Sequence, residues 1–318
     1  MRNFVKHSLI FIGIILLIHL LLAFFANGTT DSYYQKFASP RKSSLVLGTS
    51  RALQGVIPTV VDSVLEFNEN SSLYNFAFTI LSSPYGKVYY NAIKNKVDTT
   101  KNGYFIVTID PWAISEKKHS KNIEYDTRSV LYEMNDFSSR PNFEYLFRKY
   151  PNGWGMIVFK RLEIYMLKKK NKQLNNSIQG SFTEVDDYGW LNVYTSMDSS
   201  FIKRKEKENF KSYIKTAQNK EFSLYRYDYM IKTINYLKNY GDVYLVRLPV
   251  HNEMYKIETN YMCDFEIRIK SAINLSNGYL DMNKSVLQNY QFTDGNHLFK
   301  ESAKDASIKI GKWIKQIK

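Results

Sequence analysis

The stretch Ser44–Arg51, with the sequence SLVLGTSR, decides the fold. Its first four residues form a short apolar run that is typical of a buried strand, and Gly48 permits a tight turn directly after it. Ser50 then follows the carboxyl end of the strand, the edge at which open α/β sheets bind their ligands. Alone, this Gly-x-Ser pattern is weak, because most serines after a strand cap helices.

Outward from this stretch, apolar runs of strand length alternate with segments of helical spacing. The predicted strands are Ser44–Leu47, Leu73–Phe78, Tyr104–Ile109, Val243–Leu248 and Gly278–Asp281. The predicted helices are Val60–Leu65, Pro84–Val97, Phe222–Tyr240 and Phe299–Ile317. This alternation predicts an α/β fold, a parallel sheet with helices on both faces, which is a three-layer α/β/α architecture.

The stretch 114–221 interrupts the alternation, since it has many lysines and few strand-like runs. It is too long for a loop inside a compact core. We therefore predict a mainly helical insertion or cap at 114–221, between core segments 44–113 and 222–318. Within it, Met156–Lys172 is apolar and ends in a basic run. We expect a cap helix there, and a helix on the bilayer surface is the alternative.

The N-terminus carries an apolar run of 19 residues, Ser8–Ala26. As a helix it is about 28 Å long, enough for a bilayer core of roughly 30 Å. Arg2 and Lys6 precede it, which predicts a cytoplasmic N-terminus and an extracytoplasmic remainder. Because bulky residues stand where a cleavage site needs small ones, we expect a signal-anchor at 1–27 and a tether at 28–43 rather than a cleaved signal peptide.

The formal net charge is +14 and the chain has one cysteine, Cys263. The charge comes mostly from dispersed lysines, without a basic and aromatic motif for nucleic acid. A solvated basic surface is the preferred interpretation, and an anionic membrane or glycan neighbour is the alternative. We predict no nucleic-acid partner, because the chain beyond the span is expected to be extracytoplasmic. One thiol forms neither an intrachain disulfide nor a cysteine-based metal site. We also predict no metal site and no cofactor.

A second motif, FTDGNHL, lies at 292–298, just before the last predicted helix. Asp294 and His297 are three residues apart, so one loop can hold both. The carboxylate would then orient the imidazole, and the imidazole could remove a proton from Ser50. Alone this motif is also weak, because Asp294 could simply cap a turn.

Together the two motifs resemble the SGNH/GDSL hydrolase superfamily, which has Gly-x-Ser near its N-terminus and Asp-x-x-His near its C-terminus. The resemblance implies that Ser50 is the nucleophile, His297 the general base and Asp294 its orienting partner. It covers about Ser44–Trp112 and Phe222–Lys318.

Between these two motifs the family has two further conserved positions, one after the second strand and one after the third, and this chain departs from the pattern at both. The resemblance implies oxyanion-hole donors from Ser50 and from a glycine after the second strand, where this chain has Ala77. An asparagine follows the third strand in the family, whereas this chain has Asp110. An ionised carboxylate cannot donate to an oxyanion, and loss of one donor costs roughly 100- to 1000-fold. Either Asp110 is protonated, or another group such as Asn75 donates in its place, or the chemistry is not simple hydrolysis. A capping role for Asp110 is the preferred interpretation.

Three basic residues lie near the same predicted edge: Arg51, Arg247 and His251. They are candidates for binding an anionic substrate group, with an ordinary loop position as the alternative.

The tether, the core and the basic insertion resemble a membrane-anchored branch that includes the lipoteichoic-acid D-alanylation and alginate O-acetylation proteins. The resemblance implies transfer of a small acyl group, acetyl first, to or from a cell-envelope polysaccharide, beside a multi-span membrane O-acyltransferase. Two alternatives remain: a carbohydrate esterase or lipase-like hydrolase, and a non-catalytic partner of an acyltransferase.

Overall fold

The computed structural model describes residues 1–24, 32–66, 73–79, 84–118, 130–139, 141–149, 159, 162, 166, 182–284 and 289–318. The chain divides into two units. The first comprises Met1–Ser39 and Ser129–Ser177, and the second comprises Pro40–Arg128 and Ile178–Lys318.

The elements follow in chain order. The strands are β1 Ser44–Leu47, β2 Leu73–Asn75, β3 Gly103–Thr108, β4 Ser115–Lys117, β5 Phe182–Val185, β6 Leu191–Tyr194, β7 Lys220–Phe222, β8 Gly241–Arg247 and β9 Gly278–Asp281. The helices are α1 Arg2–Ala23, α2 Ser32–Ala38, α3 Ser50–Gly55, α4 Pro58–Leu65, α5 Lys87–Lys96, α6 Phe143–Lys149, α7 Ser199–Gln218, α8 Leu224–Leu237, α9 Asn252–Tyr261, α10 Phe265–Arg268, α11 Lys270–Leu275 and α12 Lys300–Ile317. Short 3-10 helices span Val130–Glu133 and Met282–Lys284.

The second unit is built on a five-stranded sheet in the order β2-β1-β3-β8-β9. All neighbouring pairs are parallel, so the predicted α/β fold with a parallel sheet is confirmed. β1 is buried along its whole length, which explains its uninterrupted apolar sequence. From β1 the chain adds β2 on one side of the sheet. It then returns to add β3, β8 and β9 on the other side, so the order of strand addition reverses between β1 and β3.

Two groups of helices pack in the second unit. α12 packs against α3 and α4, and α8 packs against α5 and α11. The inner face of α12 is apolar at helical spacing; its buried side chains include Ala303, Ala306, Ile310 and Ile314. The predicted helices are present, with ends that differ by up to three residues from the sequence-based bounds.

The predicted insertion contains strands as well as helices. Its two ends pair as the antiparallel strands β4 and β7, and β5 and β6 form a hairpin. In the hairpin turn, the Asp186 carboxylate accepts hydrogen bonds from the backbone N–H groups of Tyr188 and Trp190. The prediction of a mainly helical insertion therefore missed these strands, and the single predicted cap is divided between the two units.

The first unit has its own apolar cluster around α2, the 3-10 helix Val130–Glu133 and α6. Tyr34 of α2 is fully buried, and its ring contacts those of Phe137 and Tyr145. Within the segment 28–43, predicted as a tether, Ser32–Ala38 forms a packed helix, because Tyr34 and Phe37 share one face. Residues 25–31 lie outside the described part of the chain.

Within the described residues, one helix is long and apolar enough to cross a membrane, α1. Its 22 residues span about 33 Å, and its apolar side chains are exposed along its length. Most of Met156–Lys172 lies outside the described residues. Phe159, Leu162 and Met166 of that segment are helical and exposed.

Candidate active site

Gly48 turns the chain from β1 into α3 and so positions Ser50 as the first residue of that helix. Its φ is +146°, and a Cβ at this position would lie 1.8 Å from Thr108 Oγ1 of β3. Both the left-handed backbone and the close approach exclude a side chain. Ser50 therefore follows β1 at the point where the winding of the sheet reverses, the usual ligand position in open α/β sheets.

A tight loop between Phe292 and Leu298 holds the second motif. These two residues form an antiparallel bridge, and the Thr293 N–H donates to the His297 carbonyl at 2.9 Å. Gly295 has φ of +77°, and a Cβ there would lie 2.5 Å from the Phe210 ring. The glycine between Asp294 and His297 is therefore needed for the turn and for the packing of α7 against it.

Ser50, His297 and Asp294 form one continuous chain of hydrogen bonds. Ser50 Oγ lies 2.8 Å from His297 Nε2, and His297 Nδ1 lies 2.8 Å from Asp294 Oδ2. With the imidazole proton on Nδ1, Nε2 is free to accept the serine proton. The fold thus brings together the three residues that the sequence suggested as a triad.

The environment of Asp294 favours its ionised form. Burial raises its pKa, but the charge and hydrogen bond of His297, together with the N–H groups of Asn296 and His297, hold it at about 2. Both N–H groups donate to Asp294 Oδ1 at 2.9 Å. Asp294 is therefore a carboxylate at neutral pH, the form that stabilises an imidazolium during proton transfer.

The two sequence candidates for oxyanion donors after β2 have other partners. Asn75 is fully buried, and its amide donates to the carbonyls of Ala52 and Val56 at 2.8 and 2.9 Å. The Ala77 N–H donates to Asn75 Oδ1 at 3.1 Å. Asn75 therefore ties the end of β2 to α3, because the buried carbonyls at the end of α3 need donors. The Ser50 N–H, at the first position of α3, has no acceptor within its helix.

Asp110 acts as an acceptor. Its Oδ1 receives the Ala113 N–H at 2.9 Å, so it caps the turn after β3, as the sequence suggested. Its Oδ2 receives the Thr49 hydroxyl at 3.4 Å and lies 3.8 Å from Arg51 Nη1. Thr49 consequently makes no side-chain cap on α3, although threonine is a common capping residue.

Arg51 is buried and supports the loop that carries His297. Its Nε and Nη2 donate to Asn296 Oδ1 at 2.9 and 2.5 Å, and Nη2 pairs with Glu258 at 2.5 Å. Burial lowers its pKa, but the charges of Glu258 and Asp110 raise it above the ordinary value. The guanidinium is thus bonded within the protein, and a contact between Arg51 and substrate stays a prediction.

Arg247 and His251 also have partners within the protein. Arg247 is buried and pairs with Glu258 at 2.9 Å and with Asp281 at 3.6 Å. His251 Nδ1 accepts the Glu253 N–H at 3.2 Å, which caps α9. Arg247 is therefore held by carboxylates and His251 by a helix cap, and substrate binding by either residue stays a prediction.

Glu258 of α9 is the centre of this network and was missed by the sequence analysis. It is fully buried, and its carboxylate also accepts the Trp112 Nε1–H at 2.8 Å. Burial raises its pKa, but the charges of Arg51 and Arg247 bring it below the ordinary value. A buried carboxylate between two guanidinium groups is stable because the charges are paired.

α7 contributes two contacts to the catalytic loop. Asn209 Nδ2 donates to the Asp294 carbonyl at 3.0 Å. The Asn296 amide nitrogen lies 3.1 Å from Tyr213 Oη and 3.3 Å from His297 Nε2. Burial, then the neighbouring acidic charges, raise the pKa of Tyr213 to about 12, although Arg51 opposes this shift. The insertion therefore holds the loop in place, a role that no sequence pattern indicated.

A cavity of about 480 Å³ opens beside the triad. The wall of this cavity comes from α3, β5, β6, α7 and the 292–298 loop. Most of the lining residues are polar, but apolar atoms supply the larger part of the exposed wall. The lining residues are Gln54, Thr183, Leu191, Val193, Thr195, Lys205, Glu208, Asn209, Ser212, Thr293, Asp294 and His297. The hairpin and α7 thus line an open cavity next to Asp294 and His297.

Comparison of the chain with protein-family models and with curated proteins gave no match. Among the described residues, no group of three His, Cys, Asp or Glu side chains is placed to hold a metal ion.

Proposed function

We propose that the chain is a membrane-anchored serine acyl-transfer enzyme of the SGNH/GDSL type. The observation that carries this proposal is the assembled triad, in which two contacts of 2.8 Å join Ser50, His297 and Asp294. A nucleophile, a base and a residue that orients the base are the parts that acyl transfer needs. The order of the parallel strands and the two helix groups support a three-layer architecture.

In the proposed reaction, Ser50 Oγ attacks the carbonyl carbon of an O-acyl group while His297 Nε2 takes the serine proton. The Ser50 N–H donates to the oxyanion of the tetrahedral intermediate. When the intermediate collapses, the sugar oxygen leaves with the proton from His297, and the acyl group stays on Ser50. A second hydroxyl group, or water, then loses its proton to His297 and attacks the acyl carbonyl carbon. The bond between Ser50 Oγ and the acyl group breaks, and His297 returns the proton to Ser50 Oγ.

The cavity supports a carbohydrate as the substrate. Hydroxyl, amide and charged side chains from α7 and the hairpin surround His297. Such groups can bind the hydroxyl groups of a sugar, and the apolar part of the wall can contact the face of a sugar ring or a small acyl group. We therefore favour small acyl groups, acetyl first, on a cell-envelope polysaccharide, with a multi-span O-acyltransferase as a partner. The same residues serve hydrolysis when water is the acceptor.

The exposed apolar surface of α1 supports a single-pass membrane anchor. With Arg2 and Lys6 before the span, the N-terminus is cytoplasmic and the remaining chain extracytoplasmic under the positive-inside rule.

The test uses the full chain in detergent, a fluorophosphonate probe and p-nitrophenyl acetate. We expect labelling and turnover in the wild type, and background levels in Ser50→Ala and His297→Ala. The matched control is Ser199→Ala, an exposed serine at the start of α7, which should retain both. A wild-type protein that is folded by circular dichroism but behaves like Ser50→Ala would contradict the catalytic proposal and favour a non-catalytic partner of an acyltransferase.

A further inference from the structure

We propose that the first unit inserts one face of α6, formed by Phe143 and Phe147, into the bilayer leaflet around the Ala23 end of α1. The partner is the acyl-chain region of a phospholipid bilayer. This inference rests on the membrane anchor proposed above and adds a second contact between the chain and lipid.

α6 presents three different faces. Tyr145 and Leu146 are buried in the apolar cluster of the first unit. Phe143 and Phe147, one turn apart, point away from that cluster and are 49% and 74% exposed. Their ring centroids lie 6.4 Å apart, so they form one apolar patch. A surface helix in water would place polar residues on that side.

The polar face of α6 carries charges that are already paired. Arg148 lies 3.2 Å from Glu144 and 3.4 Å from Glu133. The Glu144 carboxylate also accepts the N–H groups of Asn135 and Asp136. Paired charges beside an exposed aromatic patch suit a helix at the boundary between headgroups and acyl chains.

The depth of the patch follows from its contact with α1. A mainly apolar groove of about 530 Å³ lies between the two helices. It is lined from α1 by Ile15, Leu16, His19 and Leu20 and from α6 by Phe143, Leu146 and Phe147. Along α1, Leu20 and Ile15 lie about 5 and 12 Å from Ala23, at about 1.5 Å per residue. If α1 spans the bilayer with Ala23 at its edge, α6 lies about 5–12 Å deep, which overlaps the depth of about 5–10 Å at which interfacial helices bury their apolar faces.

Lipid is the occupant that this geometry selects. One wall of the groove is the surface of α1 itself, where Leu16 is 63% exposed, and acyl chains must cover that surface in a membrane. The same chains reach Phe143 and Phe147 across the groove. Phe159, Leu162 and Met166 of the same unit are also exposed apolar side chains at helical spacing.

The experiment measures the depth of a nitroxide label on the full chain in phosphatidylcholine vesicles. Labels are attached at Phe147→Cys and at Leu17→Cys, each in a Cys263→Ser background, and at the native Cys263, which is exposed in the second unit. Leu17 is on α1 but outside the groove lining. Accessibility to oxygen, which concentrates in lipid, is compared with accessibility to a water-soluble nickel chelate. Phe143→Cys is the second variant if Phe147→Cys loses its near-UV circular dichroism.

We expect the labels on α6 and at Leu17 to be more accessible to oxygen than to the nickel chelate. The label at Cys263 should be more accessible to the nickel chelate than to oxygen. A label on α6 that behaves like Cys263, while Leu17 is in lipid, would overturn the inference and leave the anchor intact. A Leu17 label that the nickel chelate reaches would overturn both the insertion of α6 and the membrane anchor. It would not bear on the arrangement of Ser50, His297 and Asp294.

Discussion

At the scale of residues, the hydrogen bond between Asp294 and His297 controls which nitrogen of the imidazole carries the proton. In Asp294→Asn, the amide can donate to Nδ1, so the proton moves to Nε2, where it blocks proton transfer from Ser50. We expect kcat for p-nitrophenyl acetate to fall by roughly 10,000-fold, the loss typical of this change in a serine triad. Retained circular dichroism is the control, and a fall of less than tenfold would count against the triad.

Asp294 also makes the stability of the fold sensitive to acid. Its pKa is about 2 against an ordinary value of 3.8, so the ionised form stabilises the folded chain at neutral pH. Between about pH 4 and pH 2, the unfolded chain binds a proton that the folded chain does not, and about 2 kcal/mol of stability is lost.

Urea unfolding at several pH values tests this. The difference in the free energy of unfolding between the wild type and Asp294→Asn should be largest above about pH 4 and shrink towards pH 2. Asp305→Asn, an exposed change on α12, should show no such trend. A difference for Asp294→Asn that is constant with pH would refute the assignment.

At the scale of elements, Glu258 joins α9 to the carboxyl ends of two strands. Its carboxylate pairs with Arg51, after β1, and with Arg247, at the end of β8. In Glu258→Gln the side chain keeps its shape, but two buried guanidinium groups lose the carboxylate that they share and keep only more distant carboxylates such as Asp110 and Asp281. We expect a loss of about 3–5 kcal/mol in the free energy of unfolding.

The matched control lies one turn earlier on the same helix. Glu253 is exposed and pairs with Lys256 at 2.7 Å, and surface ion pairs contribute little. Glu253→Gln should unfold at the same urea concentration as the wild type. Equal stability of the two glutamine variants would show that the buried network is not needed for the fold.

The elements also show how far sequence patterns reach. The five parallel strands and the triad were predictable, because continuous apolar runs and fixed motif order report directly on buried strands and their edges. The β5–β6 hairpin was not predicted, although Asp186 and Gly189 mark its turn, since the flanking strands are half-exposed and lack a clear apolar alternation.

The hydrogen-bond and ion-pair partners of the site residues were harder to predict than the positions of these residues in the fold. Arg51 and Arg247 lie near the predicted edge, but their carboxylate partner, Glu258, comes from a helix whose polar composition suggests exposure. A pairing between residues far apart in the chain leaves no local signal. Asn75 was expected inside a longer strand, Leu73–Phe78, whereas β2 ends at this residue. Its bonds to α3 became visible only in three dimensions.

At the scale of the whole molecule, the proposed orientation makes Cys263 a reporter. This lone cysteine is exposed in the second unit. If that unit is extracytoplasmic, a membrane-impermeant maleimide should label the protein in intact cells to the same extent as in lysed cells, and Cys263→Ser should abolish the signal. Labelling that appears only after lysis would reverse the proposed topology.

α7 both lines the cavity and holds the catalytic loop. Its Lys205, Glu208 and Ser212 face the substrate space, whereas its Asn209 and Tyr213 bind the loop that carries Asp294 and Asn296. If the proposed acyl transfer holds, a change of acceptor would act on a helix that cannot shift without disturbing His297. Under that proposal, substrate choice can change through the side chains that face the cavity, whereas replacement of the whole helix would cost activity unless Asn209 and Tyr213 were kept.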